Sequence, residues 1–141
     1  MAMTVKNMTF DCADAHQLAR FWAALTGWVV FYDDDPEVMV APHFPSPGLT
    51  MLFIPVPEGK TAKNRLHLDL QPSDRTRDAA VEQALSLGAT VIGDFREPDG
   101  SGWVTMADPE GNEFCIERSA DERQRPDGVL AYRIGTDAAP E

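Results

Sequence analysis

Residues 67–74 read His-Leu-Asp-Leu-Gln-Pro-Ser-Asp, and residues 7–14 read Asn-Met-Thr-Phe-Asp-Cys-Ala-Asp. Each stretch predicts a short strand that leads into the start of a helix, and position 7 aligns with position 67, sixty residues later. Three further strand-like segments follow each copy. A unit of one helix and four strands is too small to bury both faces of its own sheet. Two copies are therefore expected to form one domain around a concave, ligand-sized space.

The first copy, about residues 4–56, begins with alternating apolar and polar side chains over 4–12, which predicts a strand. Asp14 is the expected N-cap of the helix, with Gln17 three residues on, and Gly27 is expected to end it. Apolar residues at helical spacing predict the face that covers the sheet: Leu18, Phe21, Trp22 and Leu25. The three further strands are predicted at 28–33, 37–41 and 49–55.

The second copy, about residues 65–118, follows a polar connector at 57–64. Its first strand is predicted at 65–71 and its helix near 74–87, capped by Ser73 or Asp74 and ended by Gly88. The helix residues expected to face inward are Val81, Ala84 and Leu85. Strands are predicted near 89–95, 102–107 and 113–118. We expect one domain over 1–120 and a C-terminal tail over 121–141, in which 129–134 is a candidate for a short docked strand.

The composition excludes several classes of function. The chain has 141 residues, with 12 basic against 23 acidic side chains and a net charge of −11, so it offers no basic surface for nucleic acid. No apolar run approaches the length that spans a bilayer, and the start lacks the pattern of a secretory signal. These features predict a cytoplasmic protein without a membrane partner. Cys12 and Cys115 are expected to be buried thiols, and a disulfide between them stays open.

Two motifs of the second copy resemble the vicinal oxygen chelate superfamily, which includes glyoxalase I, extradiol dioxygenases, fosfomycin-modifying enzymes and bleomycin-binding proteins. They are Arg65-Leu66-His67-Leu68-Asp69-Leu70 and Asp108-Pro109-Glu110-Gly111-Asn112-Glu113-Phe114. The resemblance is greatest to the glyoxalase-like branch and covers about residues 4–118. It implies an α+β fold in which two βαβββ modules form a paired, curved mixed sheet around a central cleft. It also implies a small-molecule ligand and a homodimer.

The resemblance further implies metal ligands on the first and last strands of each copy, but this chain carries an incomplete set. His67 matches the first-strand ligand of the second copy, whereas Asn7 stands at that place in the first copy. Cys115 stands where a glutamate is usual, and the last strand of the first copy offers no strong ligand on either face. A divalent metal held by His67, Cys115 and one carboxylate stays an alternative. The candidate carboxylates are Asp69, Glu113 and Glu117.

Alternation along the strand points His67 and Asp69 away from the helix-packed face, where they would line a pocket. His67 would act as a general base or hydrogen-bond donor, and Asp69 would orient it. Cys115 has two interpretations: a half-buried apolar filler, or a nucleophile whose pKa is lowered by a neighbouring cation. Cys12 is expected to pack under the first helix and to take no part in chemistry. The remaining candidates for ligand binding are Asn7, Glu113, Glu117 and Trp103.

Two hypotheses for function follow. The first is a glyoxalase- or bleomycin-resistance-like protein that binds a small organic molecule in the cleft without the usual metal. The incomplete ligand set favours it, and the net charge suits a cationic ligand. The alternative is a metal-dependent lyase, isomerase or dioxygenase of the same superfamily that uses His67 with Cys115 or nearby carboxylates.

Overall fold

The computed structural model describes residues 2–31 and 36–123. The first module contains one helix and a four-stranded sheet in the order β1-β4-β3-β2. Strand β1 runs parallel to β4, and the other neighbours are antiparallel. The elements are β1 (Asn7–Cys12), α1 (Ala15–Thr26), β2 (Val29–Phe31), β3 (Val38–Ala41) and β4 (Thr50–Pro55).

The second module repeats this plan with the strand order β5-β8-β7-β6, and β5 again runs parallel to the last strand of its module. Its elements are β5 (Leu68–Leu70), α2 (Arg77–Ser86), β6 (Thr90–Asp94), β7 (Val104–Ala107), β8 (Glu113–Ile116) and a short α3 (Ala120–Arg123). The predicted α+β fold with two βαβββ modules is confirmed. The strand predicted at 129–134 lies outside the described residues, as does the end of the strand predicted at 28–33.

By its internal contacts the chain divides into two compact units. The first unit comprises residues 1–63 together with Asp108–Asn112, and the second comprises residues 64–107 and 113–141. The segment Asp108–Asn112 lies between β7 and β8 in sequence, so the first unit incorporates a turn from the second half of the chain. In the described part of the chain, no helix is both long and apolar enough to cross a membrane.

The core of the first unit lies between α1 and its sheet, as the sequence predicted. Asp14 caps the helix by accepting a hydrogen bond from the Gln17 backbone N–H (3.1 Å), and Gly27 ends it at a left-handed φ of 76°. The buried Trp22 packs against Phe10 of β1, with ring centroids 5.3 Å apart. Cys12 is buried on the same face.

The second helix departs from the prediction at its start and on its inward face. Thr76 is the N-cap, not Ser73 or Asp74, and its hydroxyl accepts from the Ala79 N–H (3.1 Å). The helix therefore begins at Arg77, later than predicted. Leu85 is 38% exposed, so its predicted inward position is wrong. The buried face follows the new start at helical spacing: Arg77, Ala80, Val81 and Ala84.

Candidate functional site

The sheet of the second unit has one face covered by side chains of the core. The opposite face, called here the open face, carries the exposed His67 and Asp69 together with the buried Cys115. Val104, Met106 and Phe114 lie on the covered face and are fully buried. The alternate positions lie on the open face, where Asp69 pairs with Cys115 across β5 and β8. Cys115 in turn pairs with Thr105 across β7 and β8. Polar side chains therefore form a continuous row across three neighbouring strands.

A cluster of three donor groups lies on this open face. His67 Nδ1 and Asp69 Oδ1 are 3.2 Å apart, and these side chains are 41% and 52% exposed. One ligand atom each from His67, Asp69 and Cys115 lie within 4.8 Å of one another. Three protein ligands with an open position are what a catalytic divalent metal requires, so the residues present fit such an ion. The structure thus brings together the predicted pair and Cys115.

The thiol of Cys115 is in an environment that favours its protonated form. Burial raises its pKa above the usual value, and the nearby carboxylates of Asp69 and Glu117 raise it further. A hydrogen bond with the Thr105 hydroxyl (3.4 Å) acts in the opposite direction but does not offset them. A nucleophilic thiolate requires a lowered pKa. In this environment, Cys115 lacks the activation that its predicted nucleophilic role needs.

Two further predicted site residues have structural partners and lie outside this cluster of three. Glu113 Oε1 accepts from the Asn64 backbone N–H (3.1 Å), which fixes the chain just before the His67 segment. Glu117 Oε1 accepts from Arg123 Nη2 (2.8 Å), which ties α3 to the end of β8. Their carboxylates still add negative charge to the face that carries Cys115.

Trp103 is exposed beside the row of polar residues and is half of an aromatic pair. The residue is 44% exposed, and its indole stacks on the Phe95 ring with centroids 5.1 Å apart and an interplanar angle of 26°. Trp103 was predicted from the sequence as a ligand-binding residue, whereas Phe95 and Thr105 were not. Strand alternation alone places Thr105 on the face of Trp103. Its contact with Cys115 depends on the register between β7 and β8, which the sequence does not specify.

The first unit carries no comparable cluster at the equivalent positions. Asn7 Oδ1 accepts from the Thr50 hydroxyl (2.6 Å), so this predicted ligand-binding residue bonds within its own sheet. Two residues further along β1, Thr9 pairs with Leu52 of β4, which in turn pairs with Met39 of β3. The row across these strands is therefore mainly apolar.

The Asp-Pro-Glu-Gly-Asn turn has a structural function in the first unit. Asp108 is buried and accepts hydrogen bonds from Trp22 Nε1 (3.1 Å) and from the Asn112 backbone and side chain. The Glu110 carboxylate accepts from the backbone N–H groups of Ala13 (2.6 Å) and Asp14 (2.8 Å). These bonds attach the turn to α1, so Asp108 and Glu110 of the motif have a structural role.

Cys12 is a free, buried thiol whose environment disfavours reaction. Burial, together with the carboxylates of Glu110 and Asp11, raises its pKa to about 11. Cys115 is also a free thiol, so no disulfide joins the two cysteines.

Comparisons with known proteins agree with this architecture. Solved structures with the same fold include a hypothetical protein, SA1046, from S. aureus (TM-score 0.64, 16% identity, covering 85% of this chain and 95% of that one). The fosfomycin resistance protein FosX from Mesorhizobium loti is similar, with a TM-score of 0.62 and 16% identity, covering 83% of this chain and 92% of that one. A glyoxalase/bleomycin resistance protein/dioxygenase family enzyme from Burkholderia phytofirmans PsJN is also similar, with a TM-score of 0.61 and 16% identity, covering 81% of this chain and 97% of that one.

At these identities the structural similarity shows the fold alone. No curated protein matches the sequence. The family model described as "Glyoxalase-like domain" matches residues 7–117, which is most of the chain. The chain therefore belongs to the glyoxalase-like domain family.

Proposed function

We propose that this protein binds a small organic molecule on the open face of its second sheet, at His67, Asp69 and Cys115. The observation that carries the proposal is the cluster itself: an exposed His–Asp pair beside a thiol, all within 4.8 Å. In the tautomer that carries its proton on Nδ1, His67 donates to the Asp69 carboxylate, and its Nε2 is then an acceptor. The pair would then accept a proton or hydrogen bond from a ligand hydroxyl.

We propose that this binding does not require the metal of the superfamily. Cys115 stands at the position where a glutamate ligand is usual, and its raised pKa keeps the thiol neutral at pH 7. A metal ligand must be deprotonated, so binding a cation here would first have to displace that proton. The carboxylate of Asp69 is already engaged by His67.

A metal-dependent enzyme of the glyoxalase or dioxygenase type is the second candidate function. It is favoured by the same three donors, because His67, Asp69 and Cys115 supply the three protein ligands that a catalytic divalent metal needs. A bound divalent ion would polarise an oxygen atom of the substrate. The residues of the chain would then orient that substrate, with Trp103 beside it.

Metal analysis separates these two functions. The protein is purified without chelator, and bound Zn, Fe, Ni and Mn are quantified for the wild type, His67→Ala and His43→Ala. His43 is the matched control, since its ring bonds to the Pro45 carbonyl in an exposed loop outside the cluster. Stoichiometric metal that is lost only in His67→Ala would contradict metal-free binding. Metal-free protein that is stabilised by small molecules, and loses that stabilisation in His67→Ala, would support it.

We also propose a homodimer, which the family resemblance supports and sedimentation equilibrium tests.

The domain boundary is proposed after Arg123, three residues beyond the predicted one at 120. Glu122 supports this shift because its Oε2 accepts from the backbone N–H groups of Arg77 and Ser119 (2.8 Å each), so α3 caps the second helix. Truncation after 119 should lower the melting temperature more than truncation after 123, because only the first removes Glu122.

A further inference from the structure

An aromatic platform, defined here as Phe95 and Trp103, lies on the open face of the second sheet. The two rings are stacked with centroids 5.1 Å apart, yet 49% of Phe95 and 44% of Trp103 stay exposed. Large apolar side chains gain free energy when they leave water, so a stacked pair that remains half exposed retains a surface for a further ring.

The backbone beneath the platform is shaped to hold it flat on the sheet. Gly93 pairs with Thr105 across β6 and β7, and a Cβ at Gly93 would lie 2.7 Å from Phe95 Cε2. The Phe95 ring therefore occupies the space that a side chain at position 93 would fill. In the loop before β7, Gly102 has a left-handed φ of 91°, and a Cβ there would collide with the Phe95 carbonyl.

The loop that joins the two aromatic residues is held by hydrogen bonds from the buried side chain of Arg77. Arg77 Nη1 donates to the carbonyls of Gly100 (3.1 Å), Ser101 (2.9 Å) and Gly102 (3.1 Å). The Phe95 N–H also donates to the Trp103 carbonyl (2.9 Å), which closes the hairpin. These bonds hold the two rings in register before any ligand arrives, which lowers the entropic cost of binding.

The platform adjoins the candidate site. Trp103 lies two residues before Thr105 on the same face, a separation of roughly 7 Å along a strand. The Thr105 hydroxyl contacts the Cys115 thiol (3.4 Å), which belongs to the cluster with His67 and Asp69. Asp69 is level with Thr105 but two strands away, about 10 Å across the sheet. A ligand that reaches both the platform and Asp69 must therefore extend beyond a two-ring system and carry its polar group on a flexible substituent.

The charge on this face favours a cation. Asp69, Glu113 and Glu117 place three carboxylates on the open face. Each has a partner: Asp69 bonds to His67, Glu113 accepts from the Asn64 backbone N–H, and Glu117 pairs with Arg123. A positive charge over the face of an aromatic ring is attracted by its quadrupole, most strongly for tryptophan. An anionic ring would instead meet like charge.

We propose that Phe95 and Trp103 form a stacking subsite for a planar, cationic aromatic ring, with the polar end of the same molecule directed to the His67–Asp69 pair. The proposal rests on the proposed binding function and adds the class of ligand to it.

Isothermal titration with three probes tests this subsite: N-methylquinolinium (planar and cationic), 2-naphthalenesulfonate (planar and anionic) and cyclohexyltrimethylammonium (cationic and not planar). We expect the planar cation to bind the wild type at least about fivefold more tightly than either other probe. Trp103→Leu and Phe95→Leu should each weaken it by about fivefold, and Trp103→Phe should restore part of the loss. Gly93→Ala should weaken it too, because the new Cβ displaces the Phe95 ring.

Phe31→Leu is the matched control. Phe31 is also 50% exposed and also has an aromatic neighbour, Phe44, at 4.9 Å, but it lies in the first unit. The variant should bind N-methylquinolinium as the wild type does. Circular dichroism of each variant establishes that it is folded.

Two outcomes would overturn the subsite: no binding of N-methylquinolinium to the folded wild type, or binding that is unchanged in Trp103→Leu and Phe95→Leu. If the cation binds and depends on His67 but not on the two aromatic residues, the proposed binding function stands and the subsite is wrong. N-methylquinolinium has no polar group for His67, so binding that depends on the two aromatic residues supports the subsite whatever the effect of His67→Ala. The proposed function at His67 fails separately if small molecules stabilise the wild type and His67→Ala equally.

Discussion

The two modules share one backbone plan and differ in what their open faces carry. Across the second sheet the row reads Asp69, Cys115, Thr105 and Gly93, whereas across the first sheet the equivalent row reads Thr9, Leu52, Met39 and Phe31. The second row is polar and continues to the exposed His67. The first ends in an exposed phenylalanine. Duplication thus provides two equivalent frameworks, and only the second, in our account, carries a binding site.

The cores of the two modules should be equally sensitive to the loss of a buried ring. Phe53 and Phe114 are fully buried in central strands of the first and second sheets. Truncation of either to Ala removes a core ring and leaves a cavity, which should cost about 3–5 kcal/mol in the free energy of unfolding. Urea denaturation of both variants measures this. A loss below about 1 kcal/mol in one of them would show that the two modules do not share the same kind of core.

The first unit should also depend on the turn that it takes from the second half of the chain. Asp108→Ala leaves the buried Trp22 Nε1–H and the Asn112 groups without their acceptor, so we expect a loss of about 3 kcal/mol. Hydrogen exchange should then rise in α1 more than in α2.

Asp99→Ala is the control for that change, since Asp99 is exposed and bonds only within its own loop, to Ser101, among the bonds described. Equal acceleration of exchange in α1 and α2 in Asp108→Ala would argue against a specific role of the turn in the first unit.

The sequence predicted those parts of this architecture that depend on local pattern. Alternation identified the faces of β1 and β8, and the spacing at Asp14, Gln17 and Gly27 identified the limits of α1. The start of α2 was missed because Ser73, Asp74 and Thr76 are all competent caps, and their tertiary surroundings decide between them. Arg77 interacts with carbonyls more than twenty residues away, which no local pattern reveals.

The second unit should lose order in its aromatic hairpin when Arg77 is replaced. In Arg77→Met the carbonyls of Gly100, Ser101 and Gly102 lose their common donor, and we expect a cost of about 2 kcal/mol. Amide exchange should increase over residues 96–102. Arg75→Met is the control, because Arg75 pairs with Asp74 on the surface and should leave stability unchanged. Unchanged exchange over 96–102 in Arg77→Met would contradict the proposed anchoring.

The smallest expected effect concerns the protonation of Cys115. The negative charge of Asp69 helps to raise its pKa, so Asp69→Asn should lower that pKa and shift the pH dependence of iodoacetamide alkylation to lower pH. The sign follows because loss of the carboxylate makes the thiolate less unfavourable. Mass spectrometry of the Cys12→Ser background measures the rate at Cys115 alone. A shift to higher pH, or none, would show that the carboxylate does not act on this thiol.

The most direct test of the account compares the two equivalent positions that begin each module. A thermal-shift panel of small cationic and neutral aromatic compounds identifies the compound that most stabilises the wild type, and its dissociation constant is then measured for Asn7→Ala and His67→Ala. We expect binding to be lost in His67→Ala and unchanged in Asn7→Ala, since Asn7 bonds to Thr50 within the first sheet. Equal loss in both variants, or loss only in Asn7→Ala, would contradict a site carried by the second module alone.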